Sequence, residues 1–286
     1  VNTAVRRIGF LLGIWPLSFA LMGGMLMGRF TWGDSPAAKV EDFTSGVFNG
    51  LPYRMLVPKP LQEPTAKRDP AASVATKYPL VLFLHGAGER GDDNQVQLKH
   101  GAKEFARRDR RDQFPAFVVF PQCPVGSRWV ESPWDLTSGR GEFARAPSTP
   151  MKVALELVDH LIANESVDPD RVYVTGLSMG GQGTWFAAAT KPNRFAAMLE
   201  VCGGGDPTWA QDYAGIPIWG FHGQADKVVP IGRGREMIAA LTLGGHHPEL
   251  RFTEYPGVGH DSWTQTYSRD DVFEWLFSQS KQTSKR

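Results

Sequence analysis

Apolar and polar positions change rhythm several times along this chain of 286 residues. Residues 8–28, "IGFLLGIWPLSFALMGGMLMG", hold no charge, and Arg6 and Arg7 stand just ahead of them. A basic flank followed by an apolar core is the pattern of an export signal. As a helix the stretch would reach roughly 31 Å, about one bilayer core. Pro16 and several glycines weaken it as a permanent span, and the small residues Ser35 and Ala37 offer a cleavage point. We expect residues 1–28 to be a signal peptide or N-terminal membrane anchor, 29–42 a linker, and 43–286 one folded domain. Either reading leaves the arginines inside and exports the domain: to the periplasm, to the exterior, or to the outer side of the cytoplasmic membrane.

Beyond the linker the rhythm is that of strands, then of strands and helices in turn. "GVFNGLPYRMLVP" (46–58) places two short runs around Asn49-Gly50, a strong hairpin signal. Residues 59–77 read as an exposed loop. Continuous apolar runs follow at 80–86, 116–121, 171–176, 196–204 and 216–223, with a last strand at 250–257. Such runs suit strands buried on both faces. Helical spacing fills the gaps. Thr149 and Pro150 read as N-cap and first helical residue, and Met151, Ala154, Leu155, Val158, Leu161 and Ile162 make one stripe. Met237, Ile238 and Leu241 make another, ending at Gly244-Gly245 despite a poor start at Gly232 and Gly234. Val272, Trp275 and Leu276 mark a final helix. The class is α/β: a mostly parallel central sheet with helices on both faces. The irregular segment 122–147 follows a strand, where a substrate-binding insertion would sit.

Charge narrows the picture by exclusion. Lys plus Arg number 31 and Asp plus Glu 30, so no net field favours nucleic acid. The run "RRDRRDQ" (107–113) interleaves its arginines with aspartates and reads as a solvated face. Cys123 and Cys202 lack metal-ligand spacing, and either a disulfide or two buried thiols fits them.

Candidate chemistry centres on "VYVTGLSMGGQGTW" (172–185). Gly-x-Ser-x-Gly alone is weak in a chain with 31 glycines; shuffling would produce it in roughly one chain in five. Its setting is what matters. An apolar strand leads into Ser178 and a small-residue helix leads out, and glycines two before and two after relieve a crowded turn. A serine needs a base, and the base an orienting carboxylate. Asp226 in "HGQADKVVP" and His260 in "YPGVGHDSW" each follow a later strand. Asp206 in "CGGGDP" is the rival acid, with Asp226 preferred. Asp261 reads as a turn or cap residue. His222 reads as a packed loop residue, His100 and His160 fall in helical stretches, and His246 and His247 lie at the far edge of the sheet. "HGAGERG" (85–91) exposes backbone N–H groups after the first central strand. It lacks the Gly-Lys-Ser/Thr of a phosphate loop, and the amides of Ala87 and Met179 are the candidate oxyanion donors. Glu89 and Arg90 can pair locally to hold this loop.

"HGAGERGDDN", "PQCP", "GLSMGGQGTW", "CGGGDP", "HGQADKVVP" and "GHDSW" together resemble the α/β-hydrolase superfamily. Within it the likeness is to bacterial esterases of the phospholipase/carboxylesterase and polyhydroxybutyrate depolymerase-like groups, often labelled predicted peptidases through similarity to prolyl oligopeptidase catalytic domains. It covers roughly residues 45–280. It implies the α/β-hydrolase fold, Ser178 as nucleophile, His260 as base, Asp226 as its partner, and no metal or organic cofactor. The separate propeller of true prolyl oligopeptidases is missing, which disfavours peptide cleavage. The expectation is a carboxylic-ester hydrolase acting on a small-molecule or polysaccharide-linked ester. A serine peptidase or amidase on the same triad, and a catalytically silent binding protein, are the alternatives. Trp129, Trp134 and Trp263, in loops near the strand C-terminal edge, are the candidate substrate contacts.

Overall fold

Asn49 and Gly50 take φ of 46° and 81°, the left-handed pair that a tight hairpin demands. They join β1 (Thr44–Phe48) to β2 (Leu51–Leu56) in antiparallel register. The computed structural model describes residues 42–59, 76–131, 143–245 and 249–281. The leader at 1–28 and nearly all of the 29–42 linker lie outside that set, as do most of the 59–77 loop, Trp134, His246 and His247. Among the described residues no helix is long and apolar enough to cross a membrane.

The six later runs all form strands: β3 (Tyr78–Leu84), β4 (Phe117–Pro121), β5 (Val167–Leu177), β6 (Ala197–Val201), β7 (Ile218–Gly223) and β8 (Leu250–Tyr255). The sheet order is β1-β2-β4-β3-β5-β6-β7-β8. β2 meets β4 antiparallel, and every pairing from β4 to β8 is parallel. The helices are α1 (Ala102–Ala106), α2 (Arg108–Gln113), α3 (Thr149–Asn164), α4 (Met179–Thr190), α5 (Gly232–Gly244), α6 (Trp263–Ser268) and α7 (Asp270–Ser278).

Alternation along β3 shows why the sheet is covered twice. Leu80, Leu82 and Leu84 pack with Met151, Leu157 and Trp185 on one face. Val81 and Phe83 pack with Phe105, Tyr267 and Phe273 on the other. A strand buried on both sides has no polar side to alternate with, hence its continuous apolar run.

Three local readings change. α3 is capped by Ser148, whose Oγ accepts from the Met151 amide at 3.3 Å, so Thr149 is already helical. α5 does begin at its two early glycines: a Cβ at Gly234 would sit 2.9 Å from the Phe252 ring, so the helix lies too close to the sheet for a side chain there, whereas one at Gly232 would meet nothing within 4 Å. In the charge run, Arg108 is solvated but Arg110 is only 3% exposed. Its guanidinium donates to the carbonyls of Tyr267 (2.6 Å) and Ser268 (2.8 Å) and to Asp270 (2.9 Å), tying α2 to α6 and α7. A planar five-donor fork can be buried when so many acceptors meet it.

Candidate active site

The chain leaves β3 toward β4 but enters β5 on the other side, so the strand order reverses between β3 and β5. In open α/β sheets that reversal opens a crevice at the strand C-termini. Ser178 stands there, between the end of β5 and the start of α4, at φ 55° and ψ −117°. A positive φ is strained for a residue with a Cβ and is held only by firm surroundings. Here the Ser178 amide donates to Val201 O (2.9 Å) and its carbonyl accepts from the Gln182 amide (3.0 Å). A Cβ on Gly180 would fall on the Leu84 carbonyl oxygen, and one on Gly176 would lie 2.6 Å from that same atom. Those two glycines let the first turn of α4 press against the end of β3.

Asp226 follows β7 and His260 follows β8. The Asp226 carboxylate is fully buried. Its Oδ1 accepts from the amides of Val228 (2.8 Å) and Val229 (3.0 Å), and its Oδ2 lies 2.7 Å from His260 Nδ1. His260 Nε2 is 2.9 Å from Ser178 Oγ. With Nδ1–H given to the carboxylate, Nε2 is free to accept the serine proton. Burial pushes the Asp226 carboxyl up, but hydrogen bonds from His222, His260 and the two amides outweigh it and hold it well below the usual range. The structure thus brings Ser178, His260 and Asp226 together in one hydrogen-bonded line. Cys202 also brings its sulfur within 4.8 Å of the Asp226 and His260 donor atoms. Burial pushes that thiol up, so it stays protonated, and the carboxylate and imidazole already bind each other.

The 85–91 loop is held by its carbonyls. Cys123 N–H donates to His85 Nε2 (2.9 Å), so the proton of this imidazole sits on Nδ1 and is given to Gly86 O (2.7 Å). Burial lowers His85 to about 4, keeping it neutral. Trp129 Nε1 donates to His85 O (3.0 Å) and Arg90 Nε to Ala87 O (2.9 Å). Three successive carbonyls are therefore engaged. Ala87 opens the short 3-10 turn Ala87–Glu89 after β3 and Met179 opens α4 after β5, so the two candidate donors follow the ends of neighbouring strands.

Several sequence readings are corrected by these contacts. Trp129 is fully buried beneath the loop, with its ring 5.2 Å from that of His85, and contacts protein rather than a substrate surface. Glu89 does not pair with Arg90; its Oε1 faces His100 Nε2 at 3.5 Å. His100 lies outside any helix, half-buried between Glu89 and Trp263. Trp263 does border the site, edge-on to His260 at 5.3 Å between ring centres. Asp206 is turned away, capping a 3-10 turn through the Thr208 amide (3.0 Å) and accepting from the Phe143 amide (2.9 Å). Asp261 caps the start of α6 through Thr264. Both cysteines are free and buried. His222 does more than pack: its Nε2 lies 3.4 Å from Asp226 Oδ2. Its place four residues before Asp226, at a strand end, was the available signal.

Sheet, helices and serine turn define an α/β-hydrolase fold. Residues 65–272 match the Esterase family model, and the chain belongs to that family. It is 36% identical over 132 residues to poly(3-hydroxyalkanoate) depolymerase C of Paucimonas lemoignei, covering 44% of this chain and 28% of that one. It is 24% identical over 232 residues to acyl-protein thioesterase 1 of Gibberella zeae, covering 71% and 92%. The crystal structure of a thermostable esterase superimposes with a TM-score of 0.72 at 38% identity, over 84% of this chain and 64% of that one. The chain thus spans under a third of the depolymerase and just under two thirds of the thermostable esterase.

Proposed function

We propose that this protein hydrolyses carboxylic esters through Ser178, His260 and Asp226, by way of an acyl-enzyme. The observation that carries the reading is the unbroken line from Ser178 Oγ to His260 Nε2 (2.9 Å) and from His260 Nδ1 to Asp226 Oδ2 (2.7 Å). Ser178 Oγ attacks the acyl carbon while His260 Nε2 takes its proton. The amides of Ala87 and Met179 receive the developing oxyanion. The imidazolium, steadied by Asp226, returns the proton to the leaving alcohol. Water, deprotonated by the same nitrogen, then releases the acid and restores the serine.

The substrate we favour is an ester carried on a polymer, met outside the cytoplasmic membrane. The basic and apolar pattern of residues 6–28 supports export, and the relative named as a depolymerase supports a polymeric ester. The test is turnover of p-nitrophenyl acetate and butyrate beside a peptidyl anilide, with fluorophosphonate labelling. Wild type should take the label and cleave the esters. Ser178→Ala should lose the label and at least about 10⁴-fold of turnover. Anilide cleavage without ester cleavage would turn the reading to a peptidase. An unlabelled wild type, beside a control hydrolase that reacts, would remove the enzyme reading.

A further inference from the structure

Behind the triad lie two buried ionisable groups that the mechanism above does not use. Glu200 sits on β6 and His222 on β7, and both are fully buried. His222 Nε2 faces two acceptors, Val229 O at 2.8 Å and Asp226 Oδ2 at 3.4 Å. That nitrogen must carry a proton. The Val229 amide also donates to Asp226 Oδ1, so one imidazole N–H holds both the carboxylate and the turn that presents it. Glu200 Oε1 accepts from the Gly203 amide. Among the described residues neither Glu200 Oε2 nor His222 Nδ1 has a hydrogen-bond partner. Each faces a glycine that lies against Phe252: a Cβ on Gly220 would lie 3.0 Å from Phe252 and 3.6 Å from Glu200 Oε2, and one on Gly234 would lie 2.9 Å from Phe252 and 3.1 Å from His222 Nδ1. Two glycines, one on the sheet and one on α5, thus leave a carboxylate and an imidazole without side chains at these two approaches.

We propose that His222 is a positioning residue for ester hydrolysis, a second histidine on the triad carboxylate, and that Glu200 holds it in the imidazolium form. The inference rests on the triad reading above. An imidazolium at this point fixes Asp226 Oδ2 and competes with His260 for the charge of that carboxylate. The other charged or titratable groups around His222 are few. β6 adds Cys202 near the triad. β8 adds Glu254, which is engaged by Arg235 of α5 at 2.8 Å and by Gln224 at 2.9 Å. α5 also carries Arg233 and Glu236, which pair at 3.6 Å. The loop after β8 adds His260 and Asp261, and α4 has no titratable side chain. Burial works against the His222 charge, but its bonds to Asp226, the nearby Glu200 and the Val229 carbonyl win and raise it. Burial pushes Glu200 up to about 7, so above neutrality it is ionised and supports the cation.

The test is the pH profile of kcat/KM on a p-nitrophenyl ester for wild type, Glu200→Gln, His222→Gln and the double variant. Gln at 222 keeps a donor for Val229 O and removes the charge; Gln at 200 keeps the acceptor for Gly203. With the cation gone, the acid limb should move to higher pH by roughly half a unit or more in both single variants. The double variant should match His222→Gln, because Glu200 acts through it. Folded variants whose limb stays in place would overturn the proposal, as would a limb that moves to lower pH in Glu200→Gln. Spectra of ¹⁵N-histidine-labelled wild type at about pH 8, where ordinary imidazoles are neutral, decide the charge without any substitution. One imidazolium should persist there, and its absence would overturn the proposal. Failure of the triad reading looks different: turnover would then survive Ser178→Ala.

Discussion

Two glycine-rich loops flank the serine turn, and in sequence they look like the same device. "HGAGERG" follows β3 and "CGGGDP" follows β6, the strands on either side of β5. Their central glycines differ in what they meet. In the second loop every glycine is packed. A Cβ at Gly203 would come 2.6 Å from the Gly181 carbonyl carbon, one at Gly204 2.9 Å from Arg233, and one at Gly205 2.7 Å from Met237. That loop lets α4 and α5 approach the sheet. In the first loop Gly86 and Gly91 are packed too, against Leu177 (2.8 Å) and Gln122 (2.7 Å), but a Cβ at the central Gly88 would meet nothing within 4 Å, and the loop is further held by hydrogen bonds to the carbonyls of His85, Gly86 and Ala87. Glycine content alone does not separate a loop that exposes amides from one that closes a gap; the partners of its carbonyls do.

The largest effect should come from the packed loop. Gly203→Ala drives a methyl into the backbone of the first turn of α4, which cannot rotate away. A loss of more than about 3 kcal/mol is expected by urea unfolding, with activity lost alongside. Gly88→Ala should stay within roughly 0.5 kcal/mol of wild type. Similar losses at the two positions would break the contrast.

The first loop should instead reveal itself through pH. His85 is lowered from 6.5 to about 4 by burial, so folding favours its neutral form. The unfolded chain takes up the proton first as pH falls. Stability from this group is therefore complete above pH 6.5 and drains away between 6.5 and about 4, by on the order of 3 kcal/mol. Protonation at Nε2 would also break the bond from the Cys123 amide. Urea unfolding of wild type and His85→Gln across that window should give a steeper fall for wild type. Parallel curves would mean that the His85 imidazole is not held neutral.

These contrasts follow the line between what local patterns encode and what long-range packing adds. The strands were legible because double burial writes a continuous apolar run, and the hairpin because only Asn-Gly-like pairs take two positive φ values cheaply. The serine turn was legible because the close approach of α4 to Leu84 demands glycine at 176 and 180. Asp226 and His260 were legible as the polar ends of later strands, the edge where such a sheet places its chemistry. Arg110 was not, since its acceptors, the carbonyls of 267 and 268, lie more than 150 positions away. Glu89 gave no sign of choosing His100 over its neighbour Arg90. The capping residue Ser148, one before Thr149, differs from the expected one by a step that either hydroxyl could satisfy.

Trp129 is the sharpest case, and it supplies the smallest effect. A loop tryptophan near a site reads as a stacking platform, but this one folds beneath the loop and gives its N–H to His85 O at 3.0 Å. Trp129→Phe keeps an aromatic ring in the buried site, deletes that bond and leaves a small cavity. The His85 carbonyl, no longer pinned, should let the neighbouring amides wander from the oxyanion position. Since that position matters in the transition state and little in the ground state, kcat should fall roughly tenfold with KM changed less than about twofold. A stacking role predicts the reverse split, a raised KM with kcat retained. Trp263, edge-on to His260, is the internal control: Trp263→Phe keeps an aromatic face and removes an N–H that has no partner among the described residues, so kcat should stay within about threefold. If Trp129→Phe behaves like Trp263→Phe, the loop does not depend on its pinned carbonyls, and the distinction between the two glycine loops is lost.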